Sequence, residues 1–232
     1  MATVYLIPSL LSEEGLDAIP PNLLDAIKSC GIFFAENERT TRRYFKQLWK
    51  EMVIDEYEWV NMSDDLKVSD QFKKHLGGEK NIGIISEAGC PGVADPGQKL
   101  IAIAQEMNVK VKPLVGPNSI LLALMASGMN GQHFQFLGYL PIDNPQRIKE
   151  IRELEAESAR KKCTQIFIET PYRNNQLIEA LLKNCNNTTK LCIAVDITGK
   201  NEWIKTMKIA AWQNNKLNIH KRPAIFLLQA NH

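Results

Sequence analysis

The sequence predicts an α/β protein of two lobes with mainly parallel sheets. Short apolar runs suited to strands alternate along the 232 residues with stretches of helical periodicity, the pattern of βαβ units. Gly116-Pro117 breaks that pattern near the middle, dividing residues 1–116 from 117–232. A third observation places a ligand. Residues 86–97 read Ser-Glu-Ala-Gly-Cys-Pro-Gly-Val-Ala-Asp-Pro-Gly, with three glycines and two prolines between a strand-like and a helix-like run. Glycine lets a backbone approach a ligand closely and proline limits the entropy lost on ordering. Open α/β sheets bind ligands at such strand ends. The spacing matches neither the dinucleotide fingerprint nor the Walker cradle, so a nucleotide-phosphate loop is not indicated.

Taken in order, Val4–Ile7 reads as a strand, 22–30 as a helix stopped by Gly31, and Ile32–Ala35 as the next strand. Residues 41–49 are helical, and 69–76 form a helix capped by Ser69 and ended by Gly77-Gly78. Strand Ile82–Ile85 feeds the glycine-rich loop. Asp95-Pro96 reads as an N-cap with proline at the first helical position, opening a helix to Met107. Residues 109–115 return as a strand, and Asn118 caps an apolar helix over 120–126 ended by Gly128. In the second half, 134–137, 166–168, 191–195 and 225–228 are strands. Asn144-Pro145 opens a long charged helix towards Lys162, residues 175–182 form another, and 202–213 fit a strand or a helix equally.

Hydrophobic content of 44%, charged content of 23% and a net charge of +2 are those of an ordinary globular protein, so any nucleic-acid contact must come from local clustering. The five cysteines are widely spaced without a C-x-x-C pair, and the four histidines lack metal-ligand spacing. Neither a disulfide framework nor a metal site is expected. There is no secretory pattern at the N-terminus and no apolar run of about eighteen residues, which predicts a cytoplasmic protein that does not span a membrane.

One segment clusters charge. Residues 39–50 carry Arg39, Arg42, Arg43, Lys46 and Lys50 without an acid, on one broad helical face opposite Phe45, Leu48, Trp49 and Met52. That face suits a phosphate backbone; a solvated face balanced by Glu51, Asp55 and Glu56 suits the sequence equally. Tyr44 either stacks on a base or packs inward. Glu36 and Glu38 offer a general base with Arg39 as an anchor, or a structural ion pair. Tyr172 and Arg173 follow a strand, at the edge where a ligand would sit. Cys90 reads as a small neutral filler of the loop.

The ordered segments together resemble the tetrapyrrole-methylase superfamily of S-adenosylmethionine-dependent methyltransferases. Within it the chain most resembles the small-subunit ribosomal RNA 2′-O-ribose methyltransferases. The family's loop Ser-Asp-Ala-Gly-Thr-Pro-Gly-Ile-Ser-Asp-Pro-Gly matches residues 86–97. Leu6-Ile7-Pro8, residues 35–40, 114–119, 136–141 and 168–173 match further segments in the same order. The resemblance implies S-adenosylmethionine bound in a cleft between two α/β lobes, a homodimer, and a ribose of ribosomal RNA, within the small ribosomal subunit, as acceptor. It assigns the cofactor to Pro8, Glu87, Ala88, Gly89, Val93, Asn118, Ser119, Glu169 and Ala224. Glu87 and backbone groups would meet the ammonium or ribose hydroxyls, with Val93 and Ala224 flanking adenine. On the substrate side stand Glu36 and Arg39 as catalytic candidates, with Arg39, Arg42, Arg43, Lys46, Tyr172 and Arg173 against RNA.

The chain departs from the family pattern in several places. Pro8-Ser9-Leu10-Leu11-Ser12-Glu13 lacks the first loop's glycine, Glu36-Asn37 replaces a Glu-Asp pair, and Val195-Asp196-Ile197-Thr198-Gly199 loses two basic residues. Lys221-Arg222-Pro223 replaces a Lys-Gly-Glu run. The cofactor loop is thus kept while groups on the acceptor side change. Two alternatives to the RNA methyltransferase remain open: a small-molecule methylase of the tetrapyrrole kind, and a binding protein that keeps the fold without turnover.

Overall fold

The computed structural model describes residues 2–62 and 65–230. Contacts divide the chain into two units, Met1–Asn118 and Ser119–His232. The first unit carries a five-stranded sheet, with β1 at Thr3–Ile7, β2 at Cys30–Ala35, β3 at Glu58–Asn61, β4 at Asn81–Ile85 and β5 at Lys110–Pro113. The strand order is β3-β2-β4-β1-β5 and every pairing is parallel. Parallel sheets need cover on both faces, and successive residues of β2 supply it. Phe33 points into a cluster with Leu23 and Ile27 of helix α1 (Leu23–Ser29) and Tyr44 and Phe45 of α2 (Glu38–Leu48). Phe34 points the other way, into a cluster with Phe72 and Leu76 of α3 (Asp65–Leu76) and Leu100 and Ala104 of α4 (Gln98–Glu106).

Register fixes what emerges at one end of this sheet. Ile7 of β1 and Ala35 of β2 both pair with Ile85 of β4. The three strands therefore finish level, and Pro8, Glu36 and Ser86 leave the sheet side by side. That is the crevice at the carboxyl ends of the strands where such sheets bind ligands.

The second unit departs from the expected parallel arrangement. Its strands are β6 at Phe134–Tyr139, β7 at Thr164–Ile168, β8 at Lys190–Val195, β9 at Trp203–Lys208 and β10 at Ala224–Gln229, in the order β6-β7-β10-β8-β9. Only β6 and β7 pair in parallel; β10 runs against both β7 and β8, and β8 against β9. The short connection from Val195 to Trp203 allows only a reversal of direction, and β10 enters between two strands that share one direction. Helices α6 (Asn144–Lys161), α7 (Asn174–Asn184) and the single turn α8 (Ile209–Trp212) contribute to the main core with Phe167, Ile193 and Phe226. Helix α5 (Ser119–Ser127) packs on β9 and β10.

Several element bounds move for local reasons. Helix α2 starts at Glu38 because Asn37 caps it, its Oδ1 accepting from the N–H groups of Arg39 and Thr40. Helix α3 begins before Ser69, at Asp65. The region 202–213 is both candidates in succession, β9 and then α8. Helix α4 opens at Gln98 behind Gly97, which sits at φ 112°, so Asp95-Pro96 belongs to the loop and Asp95 is no helix cap. Strand β3 escapes the sequence pattern, since Glu58-Trp59-Val60-Asn61 is a short edge strand with polar ends.

Gly83, in the middle of β4, carries a packing constraint that can be tested. A Cβ there would lie 2.7 Å from the Phe33 ring and 2.8 Å from Ile7 Cδ1. Phe33 itself stands 5.0 Å from the Phe45 and Trp59 rings, so it has little room to yield. Gly83→Ala should lose about 1–3 kcal/mol by overpacking, read as a lower urea midpoint. Gly131→Ala, with open space at its Cβ, should leave the midpoint in place.

Candidate functional site

In the first unit, hydrogen bonds tie the three level strand ends together. Glu36 N–H donates to Ile85 O (3.1 Å), and Ser9 N–H donates to Gly89 O (2.7 Å). Glu87 N–H donates to Glu36 Oε2 (2.7 Å), and Asn37 Nδ2 donates to Glu87 Oε1 (3.3 Å). Tyr44, buried, donates its hydroxyl to Pro8 O at 3.1 Å, which settles its role as packing. Asn37 is informative as a departure. Its amide both caps α2 and donates to Glu87, and a second carboxylate at that position could not make the latter contact.

The loop turns by left-handed residues. Gly89, Gly92 and Gly97 lie at φ 71°, 78° and 112°, and Ala94 joins them at φ 63°. The junction segment lies against the end of β1, because a Cβ on Gly116 would fall 2.2 Å from Pro8 Cβ. Cys90 Sγ lies 3.5 Å from Pro117 O, its thiol pushed up chiefly by burial and eased by a hydrogen bond with Asn118. Cys90 is therefore a neutral thiol tying the loop to the junction.

Electrostatics single out Asp95, which carries the sequence signature of a helix cap yet lies in the loop. Burial, and then the charges of Glu36 and Glu87, push the Asp95 carboxyl up from 3.8 to about 6. Glu87 is exposed and Glu36 and Asp95 are half-buried. Three carboxylates that repel one another at the mouth of a glycine-rich loop favour a cationic ligand. On one side Asp95 lines a hollow of about 290 Å³ with Met62, Val68 and Gly97. On the other, Glu87 and Ala88 line one of about 220 Å³ with Ser9, Leu11, Thr40 and Arg43.

The basic face of α2 is partly engaged within the unit. Arg42 bonds Glu38 at 2.9 Å and lies 5.0 Å over the Trp59 ring. Arg43 pairs with Glu13 at 2.9 Å, and Lys46 Nζ donates to Lys50 O. Exposed pairs such as Arg43–Glu13 are weak and exchange readily with a phosphate. Arg39 is exposed in the first turn of α2, and Val93 is 45% exposed on the loop.

In the second unit, Glu169 and Ala224 come together because Ile168 pairs with Ile225. Glu169 is buried; its Oε1 accepts from Thr170 N–H and from Arg173 Nε and Nη2 at 2.6, 3.0 and 2.7 Å. Its Oε2 is buried without a hydrogen-bond partner among the described residues. Arg173 is thus held by Glu169, whereas Tyr172 beside it is exposed. Ser119 opens α5 and Asn118 precedes it.

The raised pKa of Asp95 gives a pH signature. In the folded protein its carboxyl holds a proton more tightly than in the unfolded chain, so its contribution to stability is present below about pH 4 and lost as pH rises through about 6. Asp95→Asn should therefore raise the thermal midpoint above pH 6 and converge with the parent near pH 4. Parallel midpoint curves across that range would contradict the assignment.

Comparison with known proteins gives this geometry a family. A crystal structure of the methyltransferase CobJ superposes with a TM-score of 0.64 at 14% identity, covering 99% of this chain and 93% of that one. Uroporphyrin-III C-methyl transferase from Thermus thermophilus, complexed with S-adenyl homocysteine, gives 0.58 at 13% identity over 98% and 97%. At such identities the likeness is one of fold. In sequence, the chain is 28% identical over 230 residues to the ribosomal RNA small subunit methyltransferase I of Buchnera aphidicola subsp. Schizaphis graminum (97% of this chain, 77% of that protein). It is 29% identical over 218 residues to the Bacillus subtilis protein of that name (92% and 71%). Residues 14–212 match the family described as Tetrapyrrole (Corrin/Porphyrin) Methylases. The chain belongs to that family, and it is an S-adenosylmethionine-dependent methyltransferase.

Proposed function

We propose that this methyltransferase acts on RNA of the small ribosomal subunit, at a ribose 2′-hydroxyl. The observation that carries the acceptor is the likeness, over nearly the whole chain, to relatives named ribosomal RNA small subunit methyltransferase I; the ribose hydroxyl follows the sequence resemblance. The residues present fit the donor. S-adenosylmethionine carries a sulfonium and an ammonium, and the mutual repulsion of Glu36, Glu87 and Asp95 is the kind a bound cation relieves. We assign the donor to Pro8, Glu87, Ala88, Gly89, Val93 and Asn118 in the first unit. Gly89 is buried at positive φ beside Leu11, where a side chain would be strained.

The bound cofactor supplies an activated methyl group for in-line displacement. The chain's own part is alignment and removal of the hydroxyl proton. Glu36, anchored by the Glu87 N–H, is the proposed proton acceptor. Burial and the charges of Glu36 and Glu87 hold the Asp95 carboxyl up at about 6 beside them. Arg39 is proposed to meet a phosphate from the first turn of α2, with Arg42, Arg43 and Lys46 along the same helix.

Two measurements test this. Small ribosomal subunits from a strain lacking the gene, incubated with the protein and radiolabelled S-adenosylmethionine, should take label into a 2′-O-methyl nucleotide; no transfer overturns the acceptor. Glu87→Gln keeps a carbonyl for Asn37 but removes the charge. It should weaken S-adenosylmethionine about tenfold, roughly 1.4 kcal/mol, by calorimetry, with the unfolding midpoint no lower than the parent's because one of three repelling charges is gone. Equal affinity would remove Glu87 from the donor site.

A further inference from the structure

The second unit presents an aromatic ring that its own packing does not need. Tyr172 follows the end of β7 and remains 67% exposed. Its base is rigid. Arg173 N–H closes a turn onto Thr170 O at 2.9 Å, and the Arg173 guanidinium is clamped on buried Glu169. Two residues from the segment entering β10 flank the ring. His220 stands edge-on, centroids 5.8 Å apart at 76°, and Lys221 places its Nζ 5.8 Å from the centroid.

That segment is held as firmly as the turn. Lys221 N–H donates to Pro171 O at 2.9 Å, and buried Asn174 donates its side-chain amide to Arg222 O at 2.7 Å. Arg222 in turn binds Asp196 and Asn201 O, both at 2.8 Å. Lys221 sits at φ 65°, a left-handed conformation a lysine adopts only when its surroundings impose it. The nearby carboxylates of Glu169 and Asp196 are each matched by an arginine. Positive charge and a largely exposed aromatic ring are what the patch shows to solvent.

We propose that Tyr172, with His220 and Lys221, is a stacking platform for one unpaired base of the RNA acceptor strand, Lys221 meeting an adjacent phosphate. The proposal rests on the ribosomal-RNA reading and names where the second unit grips that substrate. A rigid exposed aromatic beside a cation is how proteins bind single strands, because every base has a π-face and each phosphate needs a counter-charge. The ring being pre-positioned, little entropy is lost when a base settles on it. A duplex has no free face to offer.

The test is equilibrium binding of a fluorescent single-stranded RNA and of its duplex. Stacking on one aromatic accounts for about 1–3 kcal/mol, so Tyr172→Ala should weaken the single strand roughly 5- to 150-fold, Tyr172→Trp should retain it, and neither should alter duplex binding. Lys221→Ala should lower the salt slope of single-strand binding by about 0.7. Unchanged single-strand affinity in Tyr172→Ala, or an equal loss for duplex, overturns the platform. If the parent protein methylates small-subunit RNA while Tyr172→Ala binds like the parent, only the platform falls. If the parent transfers no methyl group yet binds single strands through Tyr172, the ribosomal reading falls and the platform stands. No RNA binding by the parent overturns both.

Discussion

The arrangement of groups in the first unit's crevice depends on three parallel strands ending at the same level. Because Ile7 and Ala35 both pair with Ile85, the residues that follow them leave the sheet close enough to bond to one another rather than to water. Glu36 bonds back to β4 through its backbone and to Glu87 through its carboxylate; Ser9 closes onto Gly89. A slip of one residue in either pairing would turn every strand side chain to the other face and separate these groups. The glycine-rich loop supplies conformational freedom, but register decides where that freedom is used.

The same convergence sets the electrostatics. Bringing Glu36, Glu87 and Asp95 to one mouth has a cost, visible in the raised Asp95 carboxyl, and a fold under no functional demand gains nothing from it. Strained or repelling groups of this kind concentrate at functional sites. Asn37 moderates the cost. It gives the cap and the contact to Glu87 without adding a further charge. The departure from the family's Glu-Asp pair is thus locally self-consistent.

Much of this was legible in the sequence, for physical reasons that differ by element. Ile82–Ile85 announced itself because a strand buried on both faces reads as a continuous apolar run. The loop after it was legible through glycine and proline alone. Other features leave no local trace. The direction of β10 depends on which strands it enters between, and no side-chain pattern encodes that. Glu58–Asn61 forms an edge strand whose ends are polar, so it lacks the run that marks its neighbours. Asp95 before Pro96 carries a helix-start signature, yet Gly97 in a left-handed conformation moves the start beyond it. Among the site candidates, the places of Glu87 and Gly89 in the loop followed from the motif. The engagement of Arg42 with Trp59 and of Arg173 with Glu169 is tertiary and leaves no signature in the local sequence.

The position of β1 has a consequence for how the chain comes to be made. It lies inside its sheet, between β4 and β5, although it is the first strand in the sequence. Thr3 bonds Asn81 across a separation of 78 residues. On a ribosome adding about 5–20 residues per second, the leading strand therefore waits on the order of 4–16 s before its first partner exists. During that interval Val4 and Ile7 are apolar surface without a sheet to join, and the polar linkage of Ser9 to Gly89 is unmade. Assembly of this crevice is in that sense a late event of synthesis, completed only when residues beyond the loop have emerged and β1 is drawn into the centre.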